Sequence, residues 1–141
     1  MDHPPASDPT FNIVAALHHA SEGLLWMSEA DYPWAVLTWP DHSVATLTDA
    51  EVLRQTGHDP KTAIAQTDVR SLFEVACQEQ AWHDDRERAT VQRYQTLVEI
   101  LQTHLTDLRV YRVGEIEVDI YVLGITADGT IAGLATKAIE T

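Results

Sequence analysis

The sequence predicts an α/β (α+β) domain with helices on both faces of a mixed, largely antiparallel sheet. Three observations carry that class. Between Glu115 and Val122 polar and apolar residues alternate without a break. Ile116, Val118, Ile120 and Val122 share one face, and Glu115, Glu117, Asp119 and Tyr121 the other, which is the period of a strand. Val91, Tyr94, Val98, Leu101 and Leu105 are spaced 3, 4, 3 and 4 residues apart, laying an apolar stripe along a helix of about five turns. Strand-like and helix-like stretches interleave along the chain, as they do where helices cover a sheet.

Taken in order, residues 1–9 read as a Pro-containing mobile tail and residues 10–141 as one domain with one core. Asp8-Pro9 has the form of an N-cap followed by an N1 proline. It opens a helix carrying Phe11, Val14 and Leu17 and stopping at Gly23. The apolar run Leu24 to Met27 leads into Ser28 to Asp31, a loop or single turn, because Pro33 forbids a helix through Tyr32. Trp34 to Trp39 reads as a strand ended by Pro40-Asp41. Thr48 and Glu51 form a capping box for a helix that stops at Gly57. Ala63 to Gln66 is a short strand, and Asp68 or Thr67 caps a short helix with Leu72, Phe73 and Val75. Asp84 and Glu87 form a second capping box, before the long helix.

The last third of the chain organises the rest. Asp128-Gly129 predicts a two-residue type I′ turn, with φ > 0 at both positions. Thr130 to Ile139 returns as a second strand. The expectation is a long antiparallel hairpin at the centre of the sheet. Its small residues Gly124, Ala132, Gly133, Ala135 and Ala138 admit close approach of other layers.

Composition excludes some partners. Nine Lys and Arg against 22 Asp and Glu give a net charge of −13. Such a chain repels nucleic acid and anionic membrane, and attracts a basic partner by salt-sensitive steering. Cys77 is the sole cysteine, so no internal disulfide forms. No apolar run is long enough to span a bilayer, and the N-terminus lacks a signal-peptide pattern, so the cytoplasm is the expected compartment.

The polar clusters give no catalytic constellation. His18-His19 point about 100° apart on a helix and have no His or Cys partner at metal-ligand spacing. In Trp82-His83-Asp84-Asp85 the acids suit a helix N-terminus. Trp82 sits in a polar stretch, so core and interface both remain open for it. Glu29 and Asp31 are loop carboxylates without a partner acid, nucleophile or ligand set. No Gly-rich phosphate loop, G-x-S-x-G or H-E-x-x-H occurs. These absences favour a binding protein with no cofactor over an enzyme.

Several stretches resemble one family. Ala20-Ser21-Glu22-Gly23-Leu24-Leu25-Trp26-Met27-Ser28-Glu29 with Tyr32-Pro33, then Gln55-Thr56-Gly57-His58, then Trp82, are similar to blocks of the nuclease A inhibitor (NuiA-like) proteins. So is the C-terminal block, from Tyr111-Arg112-Val113-Gly114-Glu115 through Ala132-Gly133 and Thr136-Lys137 to Glu140-Thr141. The likeness runs from about Asn12 to Thr141. His83, Arg86 and the Pro40 to Thr48 loop depart from the family pattern.

The resemblance implies a three-layer α/β/α sandwich of PR-1-like fold. It also implies inhibition of a sugar-non-specific, Mg-dependent DNA/RNA endonuclease of the ββα-metal type, by a monomer in a one-to-one complex. Glu29 would engage a basic residue of the nuclease site, Trp82 would pack on an arginine, and Thr141 would reach the catalytic magnesium. Asp31, Asp84 and Glu140 would add acidic contacts around them. The alternative is an acidic module of the same fold with a different basic partner.

Overall fold

A computed structural model of the chain describes residues 12–39 and 47–140. The first helix, α1 (Ile13–Ser21), is capped by Asn12, whose side chain accepts the Ala15 amide at 3.1 Å. Asn12 therefore fills the cap position expected of Asp8; Asp8, Pro9 and Phe11 lie outside the described residues. Leu17 is fully buried from this helix.

The run after Gly23 is extended. β1 (Leu25–Met27) pairs antiparallel with β2 (Asp31–Pro33), so Asp31 belongs to a strand and only Ser28 to Ala30 form the turn. Trp26 points inward against Phe73 and Trp34, each at 5.6 Å between ring centroids, while Leu25 and Met27 point out.

The remaining elements are β3 (Ala35–Trp39), α2 (Asp49–Gln55), β4 (Ile64–Thr67), α3 (Val69–Phe73), α4 (Asp85–His104), β5 (Thr106–Val113), β6 (Glu117–Ile125) and β7 (Ile131–Ile139). Thr48, Asp68 and Asp84 cap α2, α3 and α4. At Asp84 both halves of the capping box close, with the carboxylate on the Glu87 amide at 2.8 Å and the Glu87 side chain on the Asp84 amide at 2.9 Å. Val75 falls beyond the end of α3 and is exposed, contrary to its place on the predicted apolar face. Leu97 is wholly buried where the predicted stripe has the half-buried Val98.

Five strands form a sheet in the order β3-β7-β6-β5-β4, so β6 and β7 lie at its centre as expected. The class is α+β and the sheet antiparallel, as the largely antiparallel expectation has it; the expected mixed part is not found, since every pairing among the described residues is antiparallel. α2 alone lies between β3 and β4, but these strands stand at opposite edges of the sheet. Between β4 and β5 both α3 and α4 occur, and the chain re-enters the sheet at the end where it left. A single-helix crossover to a parallel neighbour does not arise.

The pleat of β6 feeds two cores. Val118, Ile120 and Val122 face α1, α3 and α4 with Leu17, Phe73, Tyr94, Leu97 and Leu101. Leu123 faces Leu47, Val52 of α2, Tyr111 and Ile131. Ile116, expected on the first face, precedes the strand and is 62 % exposed.

The β6–β7 turn is longer than Asp-Gly alone predicts. The Thr126 amide donates to the Thr130 carbonyl at 2.8 Å, and the Gly129 amide to the Thr126 carbonyl at 3.0 Å. Only Gly129 has positive φ, +86°, so this is a three-residue turn with a left-handed glycine and not type I′. The Asp128 carboxylate accepts the hydroxyls of Thr126 and Thr130, which fixes the longer turn and holds its carboxyl below the usual range. At Gly133 the approach between strands is closest: a Cβ there would sit 1.8 Å from the Val122 carbonyl oxygen.

Candidate functional site

The acidic loop and the end of the last strand are built together. Ser28 to Ala30 turns back on itself because the Ser28 hydroxyl donates to the Ala30 carbonyl at 2.8 Å. The same oxygen accepts the Ile139 amide at 3.0 Å, and the Glu29 amide donates to the Ile139 carbonyl at 3.3 Å. Glu29 is exposed on this turn, its backbone fixed by β7. On the far side of β7 the Glu140 amide donates to the Ile116 carbonyl at 2.8 Å, extending the sheet one residue past β7. Glu29 and Glu140 thus stand at one corner of the fold, although 111 residues separate the two segments. Thr141 follows directly and lies outside the described residues.

Glu140 is ion-paired with Arg112, across the sheet end. Nearby, Lys137 bonds Glu117 at 2.5 Å and lies 3.8 Å from Asp119. That hydrogen bond lowers the Glu117 carboxyl and raises the Lys137 ammonium from their ordinary values. His58 lies 3.2 Å from Asp119 and 3.0 Å from the Tyr121 hydroxyl. Asp31 sits opposite Met27 in the small hairpin, exposed.

Trp82 is carried by another segment, the turn before α4. Its side chain is exposed, standing edge-on to His83 at 4.4 Å between ring centroids. That geometry resolves the choice between core and surface. The turn is rigid for local reasons: His83 Nδ1 accepts the Gln80 amide at 3.0 Å, and Arg88 donates to the His83 carbonyl at 2.6 Å. Asp84 is committed to the helix cap, and the Glu87 amide holds its carboxyl below the usual range. An aromatic cluster links the segment's helix to the acidic loop: Tyr94 of α4 donates to the Leu25 carbonyl at 2.5 Å, accepts from Trp34 Nε1 at 3.0 Å and meets the Trp26 ring.

Among the described residues no cluster of three or more His, Cys, Asp and Glu side chains is arranged to hold an ion. His18 and His19 are both exposed and line an open groove of about 510 Å³ with Glu22, Pro33 and Trp34. Burial pushes the lone Cys77 thiol up. No described helix is long and apolar enough to cross a membrane.

Ser28, Ile139 and Arg112 were not singled out from sequence. The Leu24 to Ser28 run signals a turn only after β1 is recognised, and a three-residue strand is too short to show its period. The pairing of Ser28 with Ile139 and of Arg112 with Glu140 has no local signature.

The sequence model described as nuclease A inhibitor-like protein matches residues 11–141. No curated protein matches the chain.

Proposed function

Since the chain belongs to the nuclease A inhibitor-like family, and so has a nuclease inhibitor's kind of function, we propose that it blocks the active site of a sugar-non-specific, Mg-dependent endonuclease of the ββα-metal type. It does so as a protein ligand and not as an enzyme. The observation that carries this reading is the double tether of Ser28 and Glu29 to Ile139, which presents a carboxylate beside the end of the last strand.

The physical logic follows from the substrate. A nuclease cleft is basic and holds a metal because it binds a polyanion. A chain of net charge −13 is steered toward such a cleft. Glu29 substitutes for a phosphate as the carboxylate partner of a cationic side chain. Trp82, exposed on a rigid turn, supplies an aromatic face for a guanidinium. Thr141 offers its hydroxyl, an oxygen donor of the kind magnesium accepts in place of a water. Asp31 is a rim contact. Asp84 and Glu140 act mainly through the field they add, since one is spent on a helix cap and the other on Arg112. The two cores on opposite faces of the sheet support a three-layer α/β/α sandwich, of PR-1-like type in our reading. A monomer bound one to one in the cytoplasm completes the proposal.

The Thr141 hydroxyl tests the metal contact. Thr141→Val, which keeps the shape and removes the oxygen, should leave the melting temperature unchanged and weaken inhibition. A valine variant that inhibits as well as the native chain removes Thr141 from the mechanism.

A further inference from the structure

We propose that Met27 and Ile116 are apolar contacts to the partner nuclease, bracketing the acidic corner from its two sides; the inference rests on the inhibitor reading above. Met27 is 75 % exposed and Ile116 62 % exposed, large apolar side chains left in water by a chain that otherwise buries its Ile residues wholly or in part. Their placement is not scattered. Met27 immediately precedes Ser28, the residue that binds Ile139, and shares the outward face of the small hairpin with Leu25, opposite Asp31 and Pro33. Ile116 lies across β7, its carbonyl bound to the Glu140 amide. The end of the last strand therefore runs between two segments, each tied to it by backbone hydrogen bonds and each ending in an exposed apolar side chain.

Charge identifies the occupant. Asp31 faces Met27 across the hairpin and Glu115 adjoins Ile116, and neither makes an ion pair among the described residues. Apolar side chains set among carboxylates fit a protein with a basic cleft and an apolar rim, and repel a nucleic acid. The carboxylates set the rate of encounter, and the apolar flanks set how long the complex lasts. They also separate one nuclease from another, since a cationic cleft is common to all of them and the shape of its rim is not.

The test uses the full chain with Met27→Gln and Ile116→Thr, singly and together, because Gln is close to Met in size, Thr keeps the β-branch of Ile, and both remove apolar surface. The probe is a purified Mg-dependent endonuclease of the ββα-metal type cleaving plasmid DNA, with rates followed by stopped flow at two salt concentrations. The double variant should dissociate roughly tenfold faster or more, with association rate, its salt dependence and melting temperature unchanged. Met27→Leu should restore the slow dissociation. A double variant that dissociates at the native rate, while Glu29→Gln weakens inhibition, overturns the apolar contact and leaves the inhibitor reading standing. A native chain that does not inhibit the probe overturns both.

Discussion

The Ser28 hydroxyl accepts the amide of Ile139 at 3.0 Å, joining the acidic turn to the end of the last strand. The same oxygen donates to the Ala30 carbonyl, so one side chain both shapes the turn and positions it. In the proposed complex Ser28 positions Glu29.

Ser28→Ala removes this junction. The Ile139 amide loses its partner, at a cost of about 1 kcal/mol in stability. The Glu29 turn loosens, and inhibition should weaken further than that loss explains. Ser28→Thr, which keeps the hydroxyl, should restore inhibition. Denaturant melts beside inhibition curves check this, and an alanine variant with native inhibition removes Ser28 from the site.

Glu29→Gln keeps shape and removes charge. For a carboxylate buried against a cation in the complex, the loss should be roughly 2–5 kcal/mol of binding, beyond any change in the chain's own stability. Calorimetric titration reads it directly. Native affinity for the glutamine variant means that the carboxylate stays solvated in the complex.

The two tryptophans should behave oppositely. Trp82, at 73 % exposed, should cost about 2 kcal/mol or more of binding on replacement by Ala and almost nothing in stability. Trp34, at 8 % exposed and bonded to the Tyr94 hydroxyl, should cost about 3–5 kcal/mol of stability. A Trp82→Ala chain that melts early places that side chain in the core.

Acid should act through the turns and caps. Asp68, Asp84 and Asp128 carry carboxyls lowered from their ordinary values, each chiefly by hydrogen bonds that the ionised form accepts. A depressed folded value contributes stability that is present above the unfolded value, near ~3.9, and is lost as pH falls through the folded one. Urea melts from pH 7 to pH 2.5 should therefore show stability declining below about pH 4. The stability gap between the native chain and Asp84→Asn should shrink over the same range. A gap independent of pH contradicts the charged cap.

Legibility in the sequence follows the range of each interaction. Thr48, Asp68 and Asp84 were readable as caps because a cap is settled within three residues. The β6–β7 hairpin was readable because Val118, Ile120 and Val122 repeat long enough to show period two. β5 was not. Arg109 and Arg112 interrupt its apolar positions, and Asp107, with φ 52°, breaks its register with β6. The turn at Asp128-Gly129 was found in place but not in kind, because the threonines at its two ends select the longer form. The site divides the same way. Glu29 and Trp82 were named by resemblance, but the tether of Glu29 to Ile139 and the pairing of Glu140 with Arg112 depend on the folded sheet.

The most direct measurement is a titration of DNA cleavage. A magnesium-dependent, sugar-non-specific endonuclease from the same host is held at fixed concentration while the protein is added. Cleavage should fall linearly to zero and stop at one protein per nuclease, with the added chain itself cleaving nothing. Cleavage that persists at several-fold excess of correctly folded protein contradicts the inhibitor account.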